Sequence, residues 1–297
     1  MTSTMNFFKK LFGGGSAPKP VNIEERFTLQ NRVGQGSMSK VWKAIDNKTG
    51  QPVALKVLDP AKLARLNARF VGMNKPDEGI IATVLDHPNI VRTTEHGITT
   101  DGEQYLVMEF LEGVSLGFLV DVQNERMKLN CLNYCIQLGE GLDYLHQNSW
   151  IHRDLCPRNA IVTDDDVVKL IDFGLMVPNT PEFRKPGNRT GTANYMAPEL
   201  IMRQATDERI DIFSYGVTCF EMYARQLPWP AADTMESVLQ HVNKEPKELQ
   251  KLVPDLDEQI AKAIMMAVER EPNTRWRTVR RMLTELYSAA ERLGLME

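Results

Sequence analysis

The alternation of apolar and polar positions changes character once along the chain, and that change divides it. From Phe27, short runs rich in β-branched and aromatic residues, Phe27–Val33, Lys40–Asp46 and Val53–Leu58, predict three strands. Asn47-Lys48-Thr49-Gly50 is the turn between the second and third. Residues 60–71 are helical in character, and Gly72-Met73-Asn74-Lys75-Pro76 breaks that helix. A second short helix is predicted from near Pro76 to Leu85. Val91–Thr99 and Gln104–Phe110 flank Asp101-Gly102, a strong hairpin signal.

After Leu111-Glu112-Gly113 the period becomes helical. Leu132, Cys135, Ile136, Leu138, Leu142 and Leu145 recur at three-to-four spacing, which places them on one face of a long helix. Two short strands, Ala160–Thr163 and Val167–Asp172, surround the turn Asp164-Asp165-Asp166. Helices are then predicted over 207–225, 234–243, 255–268 and 278–293, with Pro254 before one start and Gly294 at the last end. The layout is an α+β fold: a small sheet-rich lobe over 27–111 and a larger, mainly helical lobe over 112–294. Residues 1–26 read as a tail. No internal repeat is visible.

Composition narrows the function classes. The chain has 297 residues, enough for about two folding units. Thirty-five Lys and Arg against 39 Asp and Glu leave a net charge of -4, which argues against a dedicated nucleic-acid binder. The longest apolar run, Tyr105–Leu111 broken by Glu109, falls far short of the ~20 residues needed to span a bilayer. Four cysteines suit a reducing compartment, and no secretory signal is visible, so the cytoplasm is the expected location.

Within the tail, Gly13–Pro20 is a flexible linker by composition. Phe7-Phe8-Lys9-Lys10-Leu11-Phe12 before it is a small basic-aromatic patch. Its two readings are weak peripheral contact with an anionic membrane or a partner, and a tail with no fixed role.

The candidate chemistry begins at Gly34-Gln35-Gly36-Ser37-Met38-Ser39-Lys40-Val41, between two predicted strands. Glycines there let backbone N–H groups approach phosphate oxygens. A strand follows the loop, whereas a dinucleotide-binding fingerprint needs a helix. Ala54-Leu55-Lys56-Val57 sets one lysine inside an apolar strand, where it must find a partner or reach out to water. Glu78 is the candidate partner. The densest signal is His152-Arg153-Asp154-Leu155-Cys156-Pro157-Arg158-Asn159, with Asp172-Phe173-Gly174 after a strand. A carboxylate near an amide and a second carboxylate supply hard oxygen ligands for Mg²⁺, with one carboxylate left to orient a nucleophilic hydroxyl. Gly191-Thr192-Ala193-Asn194-Tyr195-Met196-Ala197-Pro198-Glu199 closes the segment.

In these motifs, their order and their spacing, the chain resembles the eukaryotic-type (Hanks-type) Ser/Thr protein kinases over about residues 27–285. The resemblance implies a bilobal kinase fold, with ATP and Mg²⁺ in the cleft between the lobes. It implies phosphate contacts from Gly34, Gln35, Gly36 and Ser37, and a nucleotide pocket that includes Val41 and Ala54. Lys56 is implied to hold the α- and β-phosphates and Glu78 to pair with it. Met108 takes the gatekeeper position, and Glu109–Leu111 form the hinge, with Glu109 and Leu111 as contacts. Asp154 is implied as the catalytic base, Asn159 and Asp172 as magnesium ligands. Glu199 is implied to pair with Arg275, and Asp211 to hold the catalytic-loop backbone. A protein substrate follows, with input from a regulatory partner, the tail or the loop over 175–190.

Three positions depart from the family pattern. Cys156 stands where Ser/Thr kinases carry a lysine on the γ-phosphate, and Arg158 is the nearest substitute charge. Thr192, in the Ser/Thr form of its motif, favours Ser/Thr over tyrosine or dual specificity; its hydroxyl is expected to reach Asp154. Glu78 lies two residues after Pro76, near the third helical position, where an acidic cap is the competing reading. Gly79 weakens that helix by ~1 kcal/mol relative to Ala. Ser39 replaces the last loop glycine, with a modest effect expected on nucleotide affinity.

Cys131 and Cys135, four apart on one helix face, read as core packing, and Cys219 as a buried helical residue. For Cys156 two readings stand: a thiol activated by Arg158 and prone to oxidation, or an inert small residue. Thr180 and Thr190 are the hydroxyls of the loop, and Arg153 is placed to bind a phosphate there. Two other functions compete with an active Ser/Thr kinase. A pseudokinase scaffold is supported by Cys156, Ser39 and the setting of Glu78, and opposed by intact Lys56, Asp154, Asn159 and Asp172. A small-molecule kinase is opposed by the Ala-Pro-Glu segment.

Overall fold

The computed structural model describes residues 19–35, 39–187 and 189–295, the side chains of Gln35 and Met235 excepted. The chain divides after Glu112 into two compact units.

The first unit is a five-stranded antiparallel sheet of order β1-β2-β3-β5-β4 with short helices. The strands are β1 (Phe27–Gln35), β2 (Ser39–Asp46), β3 (Pro52–Leu58), β4 (Thr93–Ile98) and β5 (Gln104–Glu109). Phe27, Ala44, Val53, Leu55, Val57, Tyr105 and Val107 form its apolar cluster on one sheet face. Val21, Ile23 and Trp42 pack over that cluster. The predicted tail therefore ends earlier than Arg26. Val21 bridges to Thr99, and Asn22 caps α1 (Ile23–Arg26) by accepting from the N–H groups of Glu24 and Glu25.

Helix α2 (Pro60–Asn67) starts where its sequence says it should. Pro60 occupies the first turn, and Asp59 accepts from Ala61 N and Lys62 N. Residues 60–71 do not form one helix, because a 3₁₀ turn over Ala68–Phe70 ends it. The second helix, α3 (Glu78–Ala82), is shorter than predicted. It starts after Pro76, with Asp77 at its N-cap and Glu78 as its first residue.

The second unit begins with β6 (Gly113–Ser115) and α4 (Leu116–Val122) and continues into α5 (Glu125–Gln147), which Asn124 caps. The predicted periodic face of α5 is the buried one. Two short strands, β7 (Trp150–Ile151) and β8 (Ala160–Thr163), frame the loop 152–159. β9 (Val168–Leu170) pairs with β8, and β10 (Val177–Pro178) pairs with β7. The rest is helical: α6 (Pro198–Ile201), α7 (Arg209–Ala224), α8 (Met235–Asn243), α9 (Leu249–Leu252), α10 (Glu258–Ala267) and α11 (Val279–Arg292). α7 is buried almost all round, since Ile210–Phe220 is a continuous buried stretch; α5 and α10 pack against it, and α11 packs against α5 and α10. α10 is capped by Asp257, not initiated by Pro254; the Asp257 carboxylate accepts from Gln259 N and Ile260 N, whereas Pro254 sits in the preceding turn. Cys131, Cys135 and Cys219 lie in the core between α5 and α7, as packing residues.

Candidate active site

In the sheet unit, Lys56 sits mid-strand on β3 between buried Leu55 and Val57, so it faces away from the apolar cluster. Its Nζ lies 2.6 Å from Glu78 Oε1, and both side chains are about 6% exposed. A buried ammonium needs such a partner, since an isolated charge there carries a desolvation cost of several kcal/mol. Glu78 is thus an ion-pair partner despite opening its helix. Ala54 and Met108 are directly paired across β3 and β5, and Met108 is buried. Glu109 ends β5, and its carboxylate accepts from Arg92 N at 2.8 Å. Leu111 follows, half-buried, just before the division of the chain. At the other end of the sheet Gly34 pairs with Val41, and Ser39 is buried. Gly36, Ser37 and Met38 lie outside the described residues, as does Asn188 of the loop.

In the helical unit the loop 152–159 gathers the polar groups. Asp154 Oδ1 accepts from both the backbone N–H and the hydroxyl of Thr192, each at 2.7 Å. Asn159 donates to Asp154 Oδ2 at 3.0 Å and to its carbonyl oxygen at 2.7 Å. Burial pushes the Asp154 carboxyl above its ordinary range. The hydrogen bonds from Thr192 and the nearby His152 work against that shift, and the Asp172 charge adds to it. Asp172 follows β9, with Oδ1 accepting from Gly174 N at 3.1 Å. Phe173 is buried edge-on against the His152 ring, the centroids 6.0 Å apart.

The loop is held from beneath by Asp211, on the first turn of α7 and fully buried. It accepts from His152 N at 2.7 Å and Arg153 N at 2.8 Å, and it lies 2.9 Å from His146 Nε2. Burial opposes the Asp211 charge, but these bonds outweigh it and hold its carboxyl below the ordinary range. His146 went unremarked in the sequence. A buried carboxylate at the start of a buried helix calls for several donors, and that demand is the only signal that pointed to a partner. Arg153 has a φ of +70°, an uncommon conformation for a residue with a side chain, and it turns the chain into Asp154. Gly191 has a φ of +128°, and a Cβ on it would meet Arg153 O at 2.6 Å, so only glycine brings Thr192 this close.

Cys156 is 1% exposed, and burial, with the Asp154 charge, pushes its thiol up to about 11. The activated-thiol reading is therefore corrected: the Arg158 charge is too weak a counterweight to desolvation. Arg158 is exposed, and its Cγ lies over Gly117 of α4, where a Cβ would be 3.3 Å away. Of the loop hydroxyls, Thr180 is half-buried, whereas Thr190 is buried, with no hydrogen-bond partner for Oγ1 among the described residues. Glu199 and Arg275 form a bidentate pair at 2.6 and 2.7 Å, with the arginine side chain fully buried.

Comparison with known proteins agrees with this arrangement. The protein kinase domain family matches residues 27–288. A probable serine/threonine-protein kinase of Clostridium acetobutylicum is 30% identical over 270 residues, covering 89% of this chain and 40% of the relative. Serine/threonine-protein kinase PknA of Mycobacterium tuberculosis is 28% identical over 269 residues, covering 87% and 60%. PknB of Mycolicibacterium smegmatis is 27% identical over 278 residues, covering 92% and 44%. The chain thus spans between 40% and 60% of the length of these relatives. The family match covers nearly all the described residues, and with the Lys56–Glu78 pair and the Asp154 loop in place, the chain belongs to the protein kinase domain family.

Proposed function

We propose that this protein transfers the γ-phosphoryl group of ATP to serine and threonine hydroxyls of protein substrates. The observation that carries the reading is the fixing of Asp154 by Thr192 and Asn159. A carboxylate clamped in one orientation, with its basicity raised by burial, is suited to accept the proton of an incoming hydroxyl. The remaining demand of this chemistry is positioning and charge neutralisation.

The donor set fits a hard cation. Asn159 spends its amide N–H groups on Asp154, which leaves its carbonyl oxygen as a ligand. Asp172 adds a carboxylate. Asn159 and Asp172 would hold Mg²⁺, which supplies neutralisation of the phosphate oxygens. Lys56, fixed by Glu78, holds the α- and β-phosphates in this reading, with Gly34, Gln35, Gly36 and Ser37, and Val41 lies against the nucleotide. Ala54, Met108, Glu109 and Leu111 form the adenine side. Arg158 takes the cationic role that Cys156 cannot fill. Thr192 on Asp154 supports serine/threonine specificity. A regulatory partner and a cytoplasmic location complete the reading; among the described residues no helix is long and apolar enough to cross a membrane.

One observation favours a second reading. Buried, neutral Cys156 removes a charge from the catalytic loop, as a pseudokinase scaffold would tolerate. Incubation with Mg·ATP beside Asp172→Ala, with phosphosites mapped by mass spectrometry, separates the two. Phosphoserine or phosphothreonine in the wild type alone supports the kinase. Nucleotide binding with no incorporation into itself or a generic protein substrate supports the scaffold.

A further inference from the structure

The basic-aromatic segment Phe7–Phe12 lies outside the described residues, whereas the second unit holds a polar network that the site above does not use. Its centre is Asn179. Asn179 Nδ2 donates to Glu208 Oε2 at 2.7 Å, and Asn179 Oδ1 accepts from Arg184 Nε at 2.8 Å. Arg184 Nη2 completes the triangle at 3.5 Å from Glu208 Oε2. That last pair is long and partly exposed, so it contributes little alone, and the two bonds of Asn179 carry the network.

The backbone is tied down at the same place. Val177 and Pro178 pair with Ile151 and Trp150, and Asn179 N donates to Ser149 O at 2.7 Å. Thr206 N donates to Arg184 O at 2.9 Å, and Phe183 is buried. Glu208 stands directly before α7, and its carbonyl oxygen accepts from Asp211 N at 3.1 Å. Asp211 is the carboxylate that holds the backbone of His152 and Arg153. The start of α7 therefore carries two anchors within one turn: Asp211 grips the loop 152–159, and Glu208 grips the loop 175–190.

Neither grip uses a phosphate. The hydroxyls of the loop 175–190 are Thr180 and Thr190. Thr190 is 2% exposed, so it meets no active site unless the loop opens. The Thr180 carbonyl oxygen accepts from Phe183 N and Arg184 N, which builds the turn between the two gripped side chains. With both hydroxyls unmodified, Thr192 already sits on Asp154.

We propose that Asn179 and Glu208 are positioning residues: they register the loop 175–190 to the loop 152–159 through the start of α7, so that a protein substrate meets a finished platform with Thr180 and Thr190 unmodified. The role in phosphotransfer rests on the kinase reading; the registration does not.

Hydrogen exchange followed by mass spectrometry, with steady-state kinetics on Mg·ATP and casein, tests this on the full chain. Asn179→Ala and Glu208→Ala should speed exchange at the amides of Asn179 and Thr206 and leave α5 unchanged. Both should raise the KM for casein about tenfold, since each removes a hydrogen bond to a carboxylate. The KM for ATP should stay where it is, a split that general destabilisation does not produce. Glu208→Gln keeps an acceptor for Asn179 and should restore most of the casein KM. Thr180→Ala combined with Thr190→Val should keep the wild-type rate. Arg184→Ala, at a partly exposed side chain, repeats the test should Asn179→Ala fail to fold. Unchanged exchange, a parallel rise in both KM values, or loss of activity in the variant without loop hydroxyls would overturn the proposal. Faster exchange in the variants of a protein that phosphorylates nothing would uphold the registration and sink the kinase reading alone.

Discussion

Gly79 and His96 approach so closely that no side-chain carbon fits between them. A Cβ on Gly79 would lie 2.6 Å from His96 Cβ and 2.7 Å from His96 Cγ. α3 thereby rests directly on β4, and the residue before Gly79 is Glu78, the partner of Lys56. The glycine that weakens the helix by propensity is what lets the helix sit where the ion pair needs it. Gly79→Ala is expected to lift α3, cost about 1–3 kcal/mol as overpacking, and raise the KM for ATP. Gly79→Ala combined with His96→Gly should recover part of both losses, because only glycine at position 96 removes the Cβ that the new methyl group meets. Urea denaturation and steady-state kinetics on the two variants check this. Recovery of stability without recovery of KM would show that His96 matters to nucleotide binding in another way.

Thr192 contributes two hydrogen bonds to one oxygen of Asp154, and only the hydroxyl one depends on its side chain. Thr192→Ala is expected to lower kcat about tenfold, the equivalent of one hydrogen bond to a charged group. Thr192→Ser should retain most of the rate. An equal loss in both variants would assign the effect to the threonine methyl group and its packing.

Glu199 and Arg275 join α6 to the loop before α11 through a pair that is almost wholly inaccessible to water. Arg275 also donates to the backbone carbonyls of Glu269, Arg270 and Arg209, and its guanidinium lies 4.9 Å from the Phe213 ring centroid. Arg275→Met leaves the Glu199 carboxylate buried without its cation. The expected cost is about 3–5 kcal/mol, read by chemical denaturation. Glu199→Gln in the same background should recover part of it, because a neutral amide tolerates burial better.

Most of this architecture was legible in the sequence. Runs rich in β-branched and aromatic residues located the five strands of the sheet, and the three-to-four period located α5. The candidate site residues were read from motifs in order, and the structure brings Glu78 to Lys56, Asn159 to Asp154, Asp211 to the backbone of the 152–159 loop and Arg275 to Glu199. What escaped was set by three-dimensional proximity. The tail was drawn through Arg26 because Val21 and Ile23 gain their value only from a sheet edge and an apolar face far along the chain. The start of α10 was misjudged by three residues, because Asp257 competes with Pro254 for the cap and wins through its hydrogen bonds. Gly79 looked like a defect because His96, seventeen positions away, is invisible to a propensity argument.

Cys156 is buried and its thiol is pushed up to about 11, so at neutral pH it is almost entirely protonated. The thiolate is the reactive form. Iodoacetamide should therefore leave Cys156 unlabelled in the native protein and modify it after unfolding, as followed by peptide mass spectrometry. Mild peroxide should inactivate the wild type and Cys156→Ser to the same extent. Selective protection by Cys156→Ser would restore the activated-thiol reading.

His241 on α8 is 1% exposed, and its ring lies tilted against Trp229 with the centroids 5.1 Å apart; the Pro230 backbone is a polar neighbour that only partly offsets its burial. Burial pulls its pKa below the ordinary histidine value of 6.5. The unfolded chain therefore binds more protons than the folded one between the two values. Stability contributed by the neutral ring is present in full above about pH 6.5, and it is lost as pH falls from there toward the folded-state value. His152 is buried with a pKa lowered for the same reason, so two groups add in the same direction. The expected outcome is a melting temperature that declines below about pH 6.5, before the carboxylates titrate. His241→Phe keeps an aromatic ring beside Trp229 and removes one titrating site, so it should flatten that decline without abolishing it, the remainder belonging to His152. Thermal melts from pH 8 to 5 in steps of about half a unit would decide it. An identical slope in His241→Phe would mean that the ring is already protonated in the fold, or that α8 opens to water before the rest of the chain melts.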